Sequence, residues 1–216
     1  MTDTVAEQPT APDIARADAR AVFVSHWYVG DPDRARTELD EVTDVWRRAP
    51  WPEEFLTFSC YLSVEGDTAM TYTQCSGATA YRRFVRALPG AARREPVEYR
   101  LHRSVVTELS TEPPGALVTA MFDVDGPERQ RFIVDSIARR LGEAPADEHA
   151  GMIGSHFHLS VDGTRVTNFA EWTTDEAHVA FLEGGTRHGN LRVTEQTPGV
   201  RPIGFRRYHR LRSLGS

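Results

Sequence analysis

Four side chains between residues 168 and 192 could hold an oxygen or move a proton: Asn168, Trp172, His178 and Arg192. Asn168 sits on a strand pattern whose same-face neighbours are Val166, Ala170 and Trp172. An amide among apolar groups costs free energy unless it is hydrogen-bonded, so Asn168 needs a partner or a ligand. Trp172 adds an indole N–H to that face, although a core aromatic just before a helix is an equal reading. His178 shares a helical row with Phe181 and Leu182 and so points inward. An imidazole there suits a general base near neutral pH, and a hydrogen-bonded core histidine has the same pattern. Arg192 brings a fixed positive charge near a loop, where a surface arginine is the leading reading of the residue alone. Phe157, Leu159 and Phe181, with Tyr81 far upstream, are the candidate substrate contacts.

His156 and His158 stand two apart, a spacing that raises the question of a metal. A two-residue turn at Asp162-Gly163 pairs Phe157 with Asn168 and sends both histidines to the opposite face. A turn longer by one residue would reverse this. No third ligand is evident, so no metal is expected.

These residues belong to a pattern of strand, turn, strand and helix over residues 154–182. The first strand alternates Phe157, Leu159 and Val161 against His156, His158 and Ser160. The helix is predicted from Thr173, with Glu176 completing a capping box. A Gly-rich loop is expected around Gly184, Gly185 and Gly189, then a closing strand near 203–211. The pattern also occurs earlier. Ser63-Val64-Glu65-Gly66 repeats as Ser160-Val161-Asp162-Gly163, and upstream Leu39, Val42 and Trp46 match Val134, Ile137 and Leu141. Two copies of nearly a hundred residues indicate a duplicated domain rather than a solenoid. In the first copy Asp31-Pro32 opens a helix, and Ser76 is the expected cap of a second.

Each copy therefore reads β-α-β-β-α-β, the ferredoxin-like order of an α+β fold. The expected organisation is a disordered arm at 1–19, repeat 1 at 20–106, a linker at 107–115 and repeat 2 at 116–212. The two sheets are expected to cover each other as one fused pseudo-dimeric α+β barrel.

Composition narrows the function. The chain has 216 residues, 40% hydrophobic and 26% charged, with a net charge of −6, so it has no electrostatic footprint for nucleic acid. No apolar run reaches spanning length and no signal-peptide pattern opens the chain, so no membrane role is expected. Cys60 and Cys75 lack metal-ligand spacing and fit a reduced cytoplasm.

The repeat order, its length and the Asn168-x-x-x-Trp172 motif resemble the antibiotic biosynthesis monooxygenase family. Copy two is similar to the actinobacterial anthrone oxygenases that tailor aromatic polyketides. The resemblance covers about residues 20–212 as two fused family domains. It implies a cofactor-independent monooxygenase that takes a small aromatic polyketide from anthrone or naphthol to quinone, with O₂ as co-substrate. In those enzymes an Asn and a Trp four apart face the cavity, matching Asn168 and Trp172. A family Tyr six residues past the Trp falls on His178, a departure, and a family Arg falls on Arg192. Copy one carries Thr71 and Cys75 at the Asn and Trp positions and keeps Tyr81, so the active cavity is expected in copy two and a structural role in copy one. Within the same fold the alternatives are a polyketide cyclase, a ring-cleaving oxygenase fed by diffusing reduced flavin, and a non-catalytic binding protein. A monomer with an internal pseudo-dimer is expected, with further pairing into a homodimer left open.

Overall fold

A computed structural model describes residues 5–8, 11–107 and 113–215. The chain divides into two compact units, Met1–Tyr99 with Tyr208–Ser216, and Arg100–Arg207. The strands are β1 (Ala6–Glu7), β2 (Ala21–Tyr28), β3 (Phe55–Ser63), β4 (Thr68–Cys75), β5 (Val97–Val106), β6 (Ala116–Val124), β7 (Met152–Ser160), β8 (Arg165–Trp172) and β9 (Val200–Gly215). The α-helices are α1 (Pro32–Arg48), α2 (Tyr81–Ala87), α3 (Pro127–Glu143), α4 (Asp175–Glu183) and α5 (Gly185–Gln196). The α+β class and both βαββαβ repeats are as the sequence predicts.

Unit 1 orders its strands β1-β9-β3-β4-β2-β5. Asp31 caps α1, accepting from the Arg34 N–H at 2.8 Å, with Pro32 at the first helical position. Leu39, Val42 and Trp46 then repeat at helical spacing on the buried face of α1. Trp46 stacks on Phe58 at 4.0 Å, and Tyr81 stacks on Phe23 at 3.7 Å.

Unit 2 orders its strands β5-β7-β8-β6-β9. Ile133, Val134, Ile137 and Leu141 of α3 pack on Val118, Phe157, Ala170 and Trp172 of the sheet. Buried Gln130 ties α3 to the base of the β7–β8 hairpin, its Nε2 donating to the carbonyls of Ser160 (2.9 Å) and Arg165 (2.8 Å). Four residues, 161–164, connect β7 to β8, and this even number keeps the register that a two-residue turn would give. Phe157 faces Asn168, Ser155 faces Ala170, and both histidines take the other face.

Several local expectations change. The compact units do not follow the repeat boundaries, because β5 and β9 each run from one unit into the other. Residues 1–4, 9 and 10 of the predicted disordered arm lie outside the described residues, as do 108–112 of the linker. The described part of the arm is held: Ala6 and Glu7 pair with β9, Ile14 is buried, and Gln74 Nε2 donates to the Asp13 carbonyl at 2.8 Å. Ser76 does not cap α2, which starts five residues later behind Ala80 with no side-chain cap. Thr174, not Thr173, caps α4, accepting from the Ala177 N–H at 3.1 Å. The one-residue shift moves Glu176 out of the capping-box position. The Gly-rich stretch forms α5 instead of a loop. Its glycines lower helix propensity, but the packing of the Thr186 and Thr194 row outweighs that weak preference.

Candidate active site

Unit 2 holds a cavity of about 200 Å³ between the helix-facing side of its sheet and α4, α5 and β9. Strand alternation supplies its floor, with Val118 and Ala120 from β6, Ser155 and Phe157 from β7, and Asn168, Ala170 and Trp172 from β8. A β-bulge between Met152 and Gly154 adds Met152 to that face. Ile137 and Leu141 of α3 close the apolar side.

The copies differ in whether this space is filled. Where repeat 2 has Val118, Leu141 and Ser155, repeat 1 has Phe23, Trp46 and Phe58. Those three rings, joined by Phe55 and Tyr81, stack into a solid aromatic cluster in unit 1. The smaller side chains of repeat 2 leave room instead.

Polar groups enter the cavity at a few points. Ser155 Oγ donates to Asn168 Oδ1 at 2.9 Å, which leaves the Asn168 amide N–H groups for a ligand. Trp172 is 1% exposed, and its Nε1 has no hydrogen-bond partner among the described residues. His178 is 3% exposed and its Nδ1 is likewise without a partner. The imidazole lies edge-on to Trp172 (5.3 Å) and to Phe205 (5.4 Å). Burial pushes its pKa down to about 4, the Arg207 charge adds to the shift, and Asp175 opposes it. The ring is therefore neutral at pH 7.

Of the predicted residues, Asn168, Trp172, His178, Phe157 and Phe181 line the cavity. Arg192 does not. The wall takes Arg187, Asn190, Leu191 and Thr194 from α5, the i, i+3, i+4, i+7 face, and Arg192 lies about 140° away on the helix and is exposed. Leu159 packs half-buried against the core without reaching the cavity. Tyr81 is in the unit 1 aromatic cluster, where burial raises its phenol pKa above the usual value. Sequence reading misses Ser155, Arg187, Asn190 and Phe205. Ser155 was visible as the small counterpart of Phe58, but α5 has no apolar stripe to announce it.

On the opposite face of the sheet, His156 bridges three strands. Its Nδ1 is 2.9 Å from Ser104 Oγ and its Nε2 is 3.1 Å from Glu171 Oε2. His158 Nδ1 donates to the His156 carbonyl at 3.0 Å, and burial holds its pKa down to about 3. Both rings are occupied in hydrogen bonds away from the cavity.

No family profile matches the chain, and no curated protein matches it. Solved structures do. An anthrone oxidase-like protein superposes with a TM-score of 0.66 at 13% identity, covering 91% of this chain and 93% of that one. A ferredoxin-fold protein from Listeria monocytogenes related to antibiotic biosynthesis monooxygenases gives 0.52 at 12% identity, covering 88% and 94%. A monooxygenase-like protein from Listeria innocua gives 0.51 at 12% identity, covering 88% and 93%. These likenesses define the class by its fold: α+β, with paired ferredoxin-like repeats, as found among proteins related to the antibiotic biosynthesis monooxygenases. Within that class the anthrone oxidase-like protein has the highest TM-score of the three.

Proposed function

We propose that this chain is a cofactor-independent monooxygenase that oxidises an anthrone- or naphthol-type ring of a polycyclic aromatic polyketide to a quinone, in antibiotic or pigment biosynthesis. One observation carries the reading. Trp172 Nε1 and His178 Nδ1 are buried, have no hydrogen-bond partner among the described residues, and belong to residues in the wall of one largely apolar cavity. A buried polar atom without a partner costs about 1–3 kcal/mol, so a ligand that pairs with both would recover that cost. A flat aromatic bearing an ionisable hydroxyl or carbonyl has the right chemistry, and the fold shared with an anthrone oxidase-like protein supports the same choice.

His178, neutral at pH 7, accepts the proton that turns the ring into an electron-rich anion. That anion in turn raises the proton affinity of the imidazole beside it. Trp172 Nε1 and the Asn168 amide donate to the ring oxyanion. The anion gives one electron to O₂, and superoxide and ring radical combine to form a C–O bond. The peroxide O–O bond then breaks as the same carbon loses its remaining hydrogen. One oxygen atom becomes the quinone carbonyl and the other leaves as water. The substrate supplies all four electrons that reduce O₂ to the carbonyl oxygen and water, so the reaction needs no external reductant. Repeat 1, its equivalent space filled by rings, serves as scaffold.

Oxygen uptake by the purified protein with an anthrone is the test, comparing wild type with Trp172→Phe and His178→Ala. The expected result is uptake by wild type that falls by about 10²-fold in each variant. Unchanged uptake in both variants would refute the site. Uptake only with added reduced flavin, or ring closure without O₂, would replace the reaction with a flavin-fed oxygenase or a cyclase.

A further inference from the structure

The cavity has two separate sets of hydrogen-bond donors, and oxygen chemistry uses only one. The first is on the sheet, Asn168 and Trp172. The second is on α5, where Arg187 and Asn190 stand three residues apart on the cavity-facing side. Arg187 is half-buried and has no carboxylate partner among the described residues. None of the residues lining the cavity is Asp or Glu.

Asn190 is braced from outside. Arg140 of α3 donates from Nε to Asn190 Oδ1 at 3.3 Å. A guanidinium has only donors, so it fixes the amide with its oxygen toward Arg140, and its NH₂ has no partner among the described residues. Gly189 makes this possible, because a Cβ at that position would collide with the Arg140 guanidinium. The α5 wall thus places Arg187 and Asn190 in the lining of the cavity, which holds no Asp or Glu to neutralise a cation there.

We propose that this α5 pair is an acid-recognition subsite: the substrate carries a carboxylate in addition to its oxidisable ring. This rests on the reading of the cavity as an aromatic-substrate site. Planar donors of this kind match the two oxygens of a carboxylate, and charge-assisted hydrogen bonds in a part-buried site discriminate strongly against a neutral isostere. Arg140 acts as a positioning residue for Asn190.

The test is anaerobic binding, read by quenching of tryptophan fluorescence, with two probes already at the quinone oxidation level: anthraquinone-2-carboxylate and its carboxamide. Wild type is expected to bind the carboxylate at least about 10-fold more tightly. Arg187→Gln should remove that preference and leave carboxamide affinity within about 2-fold, a control that also reports correct folding. Arg140→Gln should reduce the preference by a smaller factor. Equal binding of the two probes by wild type, or an unchanged preference in Arg187→Gln, would overturn the subsite. Oxygen uptake with a neutral anthrone separates the two readings. A protein that oxidises it yet binds both probes alike loses the subsite and keeps the oxygenase. A protein that selects the carboxylate yet takes up no oxygen with either acid or neutral anthrone keeps the subsite and loses the oxygenase.

Discussion

His178→Gln should make the protein less sensitive to acid. In the folded chain the imidazole pKa is down to about 4, against 6.5 in the unfolded chain. Between those values the unfolded chain binds a proton that the folded one does not, so stability rises with pH across that window. The contribution is fully present above pH 6.5 and is lost as pH falls toward 4. With those two pKa values the wild type gives up about 2 kcal/mol from this residue alone between pH 7 and pH 4.5. Urea unfolding at both pH values, on wild type and variant, measures it. Glutamine does not titrate, so the drop in ΔG of unfolding should be smaller in the variant by about 2 kcal/mol. Carboxylates and His158 contribute equally to both proteins and cancel. An identical drop in the two would refute the claim that the cavity desolvates His178, and with it the neutral base on which the proposed chemistry depends.

Other consequences follow from the packing and the hydrogen bonds. Ser155→Phe copies repeat 1 into repeat 2, so it should abolish binding of an aromatic probe by filling the cavity, which a fluorescence titration reads directly. Glu171→Gln keeps the shape but weakens the hydrogen bond to His156, and should lower stability by about 1 kcal/mol in urea melts, with little effect on probe binding. Asp31→Ala removes the α1 cap and should cost about 1 kcal/mol by the same assay, while leaving the unit 2 cavity and its ligand affinity unchanged.

The sequence alone carried a good deal of the site. Alternation over residues 155–161 and 166–172, with a short turn between, put Phe157 opposite Asn168 and both histidines on the far face, and the register agrees. That succeeded because strand parity is a local property: once the turn length is fixed, every side chain follows. The repeat was equally legible, since the same hydrophobic spacing recurs in the same element order. The tertiary structure decided the rest. Helix α5 has weak intrinsic propensity and no stripe, so its cavity-facing row of Arg187, Asn190, Leu191 and Thr194 emerges only from packing. That row, and not distance along the chain from Trp172, determines that Arg187 reaches the cavity and Arg192 does not. Even the presence of a cavity is a volume balance. Ser155 and Leu141 against Phe58 and Trp46 can be read from the alignment of the two copies, but only the packed side chains show that the difference remains open space.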